Sequence, residues 1–241
     1  MTKINLKAGM KNSTLIITTV LAVVMVSAFR LNRKANLFIL GDSISLQYGS
    51  YLEGMLKSDF TISRKGSQEA AMKNLDVPID ANGGDSRMVL SYLGTRMNDT
   101  SFHPDVMLLN CGLHDIKRNP TTRQIAVDSN EYRQNLEIIY GMLKSRKVAV
   151  YWVRTTEVID SVHAEKSKAF SRFSADVDQY NRIADAACKK YNVPEIDLYT
   201  FTRKFSNDRF ADHVHYVPKV SQQQAQYIAG ILNDWKKQSF K

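Results

Sequence analysis

The chain has 241 residues, of which 44% are hydrophobic and 24% charged, the balance of an ordinary globular protein. It contains only 5 prolines and 11 glycines and shows no repeat, which excludes the disordered and fibrous classes. The length suits one domain of moderate size, alone or with an appendage.

The formal net charge of +9 is concentrated at the amino terminus. Residues 1–34 hold six basic residues and no acidic residue, whereas residues 35–241 hold 27 basic and 24 acidic residues. A surface that binds duplex nucleic acid needs a dense patch or stripe of lysine and arginine, and the sequence after residue 34 has none. We therefore expect no nucleic-acid partner.

Residues 12–29 carry no charge and follow three lysines, which is the pattern of an export signal with a cleavage site after Ala28. An uncleaved membrane anchor is an alternative, because a helix of this length spans about 27 Å. A buried helix of a cytoplasmic protein is a third. The sequence thus predicts an export signal or membrane anchor over 1–34 and a domain over 35–241, exported to the periplasm or the cell exterior.

Apolar runs and amphipathic segments alternate along the rest of the chain. The runs predict buried strands over 36–40, 60–63, 105–110, 148–153 and 194–198. The segments between and after them predict helices over 46–57, 88–97, 130–145, 170–191 and 222–235. This alternation predicts an α/β fold with a five-stranded parallel sheet and helices on both faces. Ligands bind such sheets beyond the carboxyl ends of the strands.

Four residues bear on the expected core. Cys111 and Cys188 are too few for a disulfide scaffold, so they either form one bridge or lie buried as small hydrophobic residues. Tyr151 and Trp152 fall within the fourth predicted strand, where we expect them to pack in the core.

Polar residues with catalytic chemistry lie after the first strand and near the carboxyl terminus. Ser43, in Gly41-Asp42-Ser43, is placed at a helix start, a position that serine also fills as a simple cap. Asp212 lies three residues before His215, a spacing that lets the carboxylate accept from Nδ1–H and leaves Nε2 free as a base. His213 is the alternative base. Asp212, His213 and His215 also offer metal ligands, but no further cluster with ligand spacing accompanies them, so no metal is predicted.

Two glycine-bearing segments lie between these sites. Asn82-Gly-Gly-Asp-Ser86 precedes a predicted helix, and Asn110-Cys-Gly-Leu-His-Asp115 follows the third strand. Glycines at such positions expose backbone N–H groups, which are the donors of an oxyanion hole.

These four segments, in this order, resemble the blocks of the SGNH (GDSL-type) hydrolases. The matches are Gly41-Asp42-Ser43, Gly84, Gly112-Leu-His-Asp115 and Asp212-His-Val-His215, and the resemblance covers about residues 36–237. It implies a flavodoxin-like three-layer α/β/α sandwich and a serine ester hydrolase that works without a metal or a cofactor.

Carried over position by position, the resemblance implies that Ser43 is the nucleophile, His215 its general base and Asp212 the group that orients His215. The backbone N–H groups of Ser43 and Gly84 match two of the family's oxyanion donors. His114 stands where the family has asparagine. Because a neutral imidazole can donate one hydrogen bond, we expect a working hydrolase with an altered oxyanion hole.

The predicted function is an exported serine esterase that removes small acyl groups, acetyl above all, from carbohydrate. Loops 64–83 and 154–170 are polar and charged, which suits a hydroxyl-rich ligand as well as a merely solvated surface. A lipid-directed esterase or lysophospholipase, held at a membrane by residues 12–29, is one alternative. A non-hydrolytic polysaccharide-binding or acetyl-transfer protein is another. The expected partner is a small-molecule or polysaccharide ester, and the expected state a monomer.

Overall fold

The computed structural model describes residues 33–240. The predicted export signal or anchor, with its uncharged residues 12–29 and the cleavage site after Ala28, lies outside the described residues. Within residues 33–240, no helix is long and apolar enough to cross a lipid bilayer.

Within the same residues, five parallel strands form one sheet in the order β2-β1-β3-β4-β5. The strands are β1 (Ala35–Leu40), β2 (Phe60–Arg64), β3 (Val106–Leu109), β4 (Ala149–Val153) and β5 (Glu195–Ile196). Every residue of the central strand β3 is buried, as a strand covered on both faces requires. The predicted five-stranded parallel sheet is confirmed.

Helices cover both faces of the sheet. They are α1 (Ser43–Leu56), α2 (Gln68–Met72), α3 (Ser86–Arg96), α4 (Ser129–Ser145), α5 (Asp160–Lys166), α6 (Ser174–Tyr191), α7 (Leu198–Thr202) and α8 (Pro218–Ser239). Helix α1 packs against α8, whereas α4 packs against α3 and α6. Together with the strand order, this packing makes the flavodoxin-like three-layer α/β/α sandwich that the sequence predicts.

Several helix boundaries differ from the sequence-based predictions. Helix α1 begins at Ser43 rather than at residue 46, because the side chain of Asp42 caps it by accepting from the Ile44 N–H. Helix α6 begins at Ser174 rather than at residue 170. Helix α8 is longer than predicted at both ends, with proline in its first turn. The short helices α2, α5 and α7 fall where no helix was predicted.

The core confirms two of the expectations about single residues. Trp152 is fully buried in β4, and its neighbour Tyr151 is half-buried against the same core. Cys111 and Cys188 are both buried and free, so the disulfide alternative is wrong. The Cys188 thiol lies 3.2 Å from the Tyr140 hydroxyl instead.

The carboxyl ends of β1 and β3 lie side by side at the point where the strand order reverses. The Asn110 N–H, just after β3, donates to the carbonyl of Leu40 at the end of β1 (3.0 Å). Gly41 allows this close approach, because a Cβ there would lie 2.9 Å from Cβ of Ser45 and 3.4 Å from Cβ of Asn110. The fold thus brings the segments after β1 and β3 together at the edge where ligands bind in such sheets.

Candidate active site

Ser43 is held at the amino terminus of α1 by the turn that leaves β1. Asp42 caps the helix through its Oδ1, which accepts from the Ile44 N–H at 3.0 Å. Ser43 is the first helical residue, and backbone N–H groups in a first turn have no intrahelical acceptor. The partial positive charge of the helix end stabilises negative charge that develops at this position. Ser43 is only 3% exposed.

His215 bridges Ser43 and Asp212. Its Nε2 lies 2.8 Å from the Ser43 Oγ, and its Nδ1 lies 2.7 Å from the Asp212 Oδ2. The other oxygen of Asp212 accepts the backbone N–H groups of Val214 and His215, at 2.9 and 2.8 Å. Burial alone would raise the pKa of Asp212, but the hydrogen bonds from His215 and Val214 lower it below its usual value. Ser43, His215 and Asp212 therefore form a hydrogen-bonded series of the kind that can activate a serine.

The side chain of Gln47 fastens this carboxyl-terminal segment to α1. Its Nε2 donates to the carbonyl of Tyr216 at 3.0 Å, and its Oε1 accepts the Tyr216 N–H at 3.1 Å. Gln47 lies one helical turn after Ser43, and Tyr216 directly follows His215. The pair of hydrogen bonds thus fixes the segment of His215 relative to Ser43, a contact that the sequence alone did not indicate.

His213, the alternative base, faces a different carboxylate. Its Nε2 lies 3.1 Å from the Asp76 Oδ2, and this hydrogen bond lowers the pKa of Asp76. Asp76, His213 and His215 each place a potential metal ligand within 4.8 Å of the others. Both ring nitrogens of His215 are engaged, however, so a cation there would have to break its bond to Ser43 or to Asp212.

Gly84 adopts a left-handed conformation with φ of +74°. A Cβ at this position would also lie 2.4 Å from the Met88 sulfur, so glycine is required. The Gly84 N–H donates to the Asn82 Oδ1 at 3.0 Å. This predicted oxyanion donor therefore has a partner within the chain, which an incoming oxyanion would have to share or replace.

His114 is 4% exposed, and its Nε2 has no hydrogen-bond partner within residues 33–240. Burial lowers the pKa of His114 well below its usual value, and the charges of Lys117 and Arg172 lower it further. The ring is therefore a neutral imidazole with one N–H to donate. An unpaired polar nitrogen in a buried site is costly unless a ligand satisfies it.

Asp115 joins the two glycine-bearing segments. Its Oδ1 accepts the Ser86 N–H at 2.9 Å, while its Oδ2 has no partner in the described part of the chain. The side chain is fully buried, and burial raises its pKa to about 7 against the hydrogen bonds from Ser86. The carboxyl fixes the start of α3 relative to the loop that carries His114.

Sequence reasoning missed the cations of this site. Arg172 was placed in a predicted helix over 170–191, but the chain is extended before Ser174. There Ser171 exchanges two backbone hydrogen bonds with Arg118, at 2.8 and 3.0 Å. This arrangement directs the Arg172 Nε to the carbonyl of Leu113, 2.7 Å away and next to His114. No local pattern distinguished Arg172 or Lys117 from surface cations.

A model of the GDSL-like lipase/acylhydrolase family matches residues 39–220 of the chain, which include all five predicted site residues. A comparison with curated protein sequences finds no significant match.

Solved structures of related fold come from several bacteria. A lipase/acylhydrolase from Enterococcus faecalis is 17% identical, with a TM-score of 0.60 over 82% of this chain and 95% of that one. The esterase EstA from Pseudoalteromonas sp. is 13% identical, with a TM-score of 0.57 over 84% and 98%. An SGNH hydrolase from Slackia heliotrinireducens, described as putative, is 16% identical, with a TM-score of 0.54 over 83% and 100%. At these identities the likeness establishes a common fold.

Proposed function

Because the chain belongs to the GDSL-like lipase/acylhydrolase family and is a serine ester hydrolase, we propose that Ser43, His215 and Asp212 carry out its catalysis. The observation that carries this proposal is the continuous series of hydrogen bonds from the Ser43 Oγ through the His215 ring to the Asp212 carboxylate. Each contact lies within the range expected of a nucleophile, its base and the group that orients the base.

In the proposed mechanism, Ser43 Oγ attacks the ester carbonyl while His215 Nε2 takes its proton. The tetrahedral intermediate collapses as His215 returns this proton to the leaving alcohol, and an acyl-enzyme remains on Ser43. Water then attacks the acyl-enzyme with His215 again as base, which releases the acid and restores Ser43. Asp212 keeps the proton on Nδ1 and stabilises the imidazolium formed in both steps.

The developing oxyanion is held by the Ser43 N–H at the start of α1 and by the unpaired Nε2 of His114, in the tautomer that carries the ring proton on this nitrogen. The Gly84 N–H contributes a third donor when it turns from the Asn82 Oδ1 or shares its proton between the two acceptors. This assignment gives the orphaned nitrogen of His114 a function that an isolated buried imidazole would lack.

We propose that the substrate is a small acyl ester, most simply an acetyl ester, on carbohydrate. Ser43 and His215 are 3% and 2% exposed, so little of either side chain is open to a substrate. The groups around them are polar or charged: His213 contacts the ring of His215 and the carboxylate of Asp76, and the charges of Lys117 and Arg172 act on His114. Such a surface suits a hydroxyl-rich molecule better than a long hydrocarbon chain.

One observation favours the alternative of a lipid substrate. Met72, Val77 and Ile79 are 41%, 39% and 46% exposed on a segment that reaches the site through Asp76. Exposed apolar side chains on this segment suit contact with a lipid surface.

The test is a series of para-nitrophenyl esters from acetate to palmitate, with the full chain and with Ser43→Ala as control. Activity that is highest with acetate and absent from Ser43→Ala would support both the mechanism and the small-acyl substrate. A maximum at long acyl chains would overturn the acetyl proposal in favour of lipid. A folded protein without activity on any ester would overturn the hydrolytic proposal in favour of a binding or transfer role.

We also propose that the domain is exported, on the strength of the uncharged stretch over residues 12–29 behind three lysines. The mature amino terminus tests this proposal. A chain that begins after Ala28 outside the cytoplasm supports a cleaved signal, and a full-length chain in the membrane fraction supports an anchor. A full-length chain in the cytoplasm overturns export.

A further inference from the structure

Arg172 is a buried cation that forms no ion pair with a carboxylate of the described residues. Its residue is 3% exposed, and its Nε donates to the carbonyl of Leu113 at 2.7 Å. Its Nη1 is buried and has no hydrogen-bond partner within residues 33–240, and no ion pair joins Arg172 to any described carboxylate. Burying a guanidinium is costly unless anions or acceptors satisfy it, so an unpaired one beside an active site indicates a missing ligand.

The carboxylates nearest to Arg172 have other partners. Asp42 caps α1 through the Ile44 N–H, and Asp212 binds His215. Asp76 binds His213 through Oδ2, while its Oδ1 is unpaired and still forms no hydrogen bond to Arg172. Burial lowers the pKa of Arg172 to about 10, and attraction to these carboxylates limits the decrease. Arg172 therefore remains charged at neutral pH.

Lys117 contacts the same aromatic ring as Arg172, that of Phe170. Its Nζ lies 4.3 Å from the centre of the Phe170 ring, and the Cζ of Arg172 lies 4.7 Å from the same ring. Lys117 is half-buried, and among the described residues its ammonium donates to one backbone carbonyl, that of Asp76, at 2.9 Å. Burial lowers its pKa to about 8, with a contribution from Arg172. Lys117 and Arg172 thus contact one aromatic ring and form an electropositive cluster that no described carboxylate neutralises by direct contact.

The cluster of Arg172 and Lys117 is linked to the proposed catalytic residues by short contacts. Arg172 binds the carbonyl of Leu113, whose neighbour His114 carries the proposed oxyanion donor. The Phe170 ring also lies 5.7 Å from the ring of His213, which in turn lies 5.7 Å from the ring of His215. Two ring contacts, Phe170 to His213 and His213 to His215, therefore connect the cluster with the residue that lies against Ser43.

We propose that Arg172 and Lys117 bind an anionic group, a carboxylate or a phosphate, that the ester substrate carries close to the bond attacked by Ser43. The substrate class is then an acylated acidic sugar, such as a uronate or a sugar phosphate. The guanidinium fork matches the paired oxygens of either anion, and the lysine adds a point charge. This inference rests on the proposed function, since it names the substrate of the same site.

The experiment measures binding to the full chain carrying Ser43→Ala, by calorimetry, with two matched pairs of ligands. One pair is an O-acetylated uronate and its uncharged primary amide, and the other is an O-acetylated hexose phosphate and the unphosphorylated sugar. We expect one or both anions to bind about 10- to 100-fold more tightly than the neutral partner, the range for hydrogen bonds to charged groups. The pair that shows this preference identifies the anion. Equal binding within each pair, or no binding of either anion, would overturn the proposal.

Three further substitutions test which residues cause the preference for the anionic ligand. Arg172→Gln should reduce it to less than about threefold, and Lys117→Gln should reduce it in part. Lys168→Gln is the matched control, because Lys168 is exposed and, in the part of the chain that the structure describes, donates to the carbonyl of Ala164 alone. Arg172→Gln also weakens the hydrogen bond to the Leu113 carbonyl, so the unfolding midpoint of this variant is measured as well. The half-buried Lys117 provides a second test that does not depend on the stability of Arg172→Gln. An unchanged preference in both variants would overturn the assignment.

Turnover separates this proposal from the proposed function. Hydrolysis of para-nitrophenyl acetate without any anion preference in binding would overturn the anion-binding proposal and support the esterase. Anion preference without ester hydrolysis by the unmutated chain would overturn the hydrolytic function and support the anion-binding role of Arg172 and Lys117.

Discussion

The Nε2 of His215 lies 2.8 Å from the Oγ of Ser43, although 172 positions separate the two residues. The neighbouring imidazole of His213 is only two residues away, yet it faces Asp76. Two histidines of the same segment therefore differ sharply in their relation to the nucleophile, and a matched pair of substitutions tests which one is the base.

We predict that His215→Gln lowers kcat on para-nitrophenyl acetate by at least about 10³-fold, because the serine loses its proton acceptor. His213→Gln is the control, and we expect it to retain kcat within about tenfold. Steady-state kinetics of both variants, with circular dichroism to establish folding, makes the comparison. A larger loss from His213→Gln than from His215→Gln would contradict the assignment of the base.

Asp212→Asn tests the orienting role of the carboxylate without removing the turn. The amide oxygen can still accept the Val214 and His215 N–H groups, as the Asp212 Oδ1 does. The charge that stabilises the His215 imidazolium is lost, so we predict a fall in kcat of about 10²- to 10⁴-fold. The lowered pKa of Asp212 means that the folded chain favours the ionised carboxylate, so the variant should also lose some stability at neutral pH. Asp178→Asn, on α6, is a suitable control. A variant with normal kcat would show that Asp212 only shapes the turn.

The sequence predicted the sheet and the proposed catalytic series because both depend on local signals. The apolar runs indicate the strands, and Ser43, Asp212 and His215 lie in two short motifs, one directly after β1 and one near the carboxyl terminus. The remaining features of the site depend on tertiary contacts. Arg172 enters the site because Ser171 pairs with the backbone of Arg118, which overrides the helical pattern of its segment.

No feature of the sequence indicated that the Gly84 N–H would donate to another group of the chain. This hydrogen bond comes from a turn in which the Asn82 Oδ1 accepts the N–H two residues later, and such turns compete with other backbone arrangements at any asparagine. In the same way, the pairing of Gln47 with Tyr216 joins positions 169 residues apart, which one sequence cannot reveal.

His114 permits a direct test of the altered oxyanion hole. We predict that His114→Ala lowers kcat by about 10²- to 10³-fold with little effect on KM, since a donor to the oxyanion acts in the transition state. His114→Asn supplies an amide donor from the same backbone position, and we expect it to keep kcat within about tenfold of the unmutated chain. Steady-state kinetics measures both. Full activity of His114→Ala would remove this residue from the oxyanion hole.

Asp115 predicts a pH dependence of stability. Burial raises its pKa to about 7 in the folded chain from an ordinary value of 3.8, so folding favours the protonated carboxyl. The contribution of Asp115 to the free energy of unfolding is greatest below about pH 4 and is lost as the pH rises to about 7. Over this range the free energy of unfolding falls by at most about 1.4 kcal/mol per pH unit. Asp115→Asn mimics the protonated form, so its free energy of unfolding should lack this slope. Urea unfolding of both chains between pH 4.5 and 7.5, with the exposed Asp234→Asn as control, measures the difference. Parallel pH profiles for the unmutated chain and Asp115→Asn would show that Asp115 is ionised throughout this range.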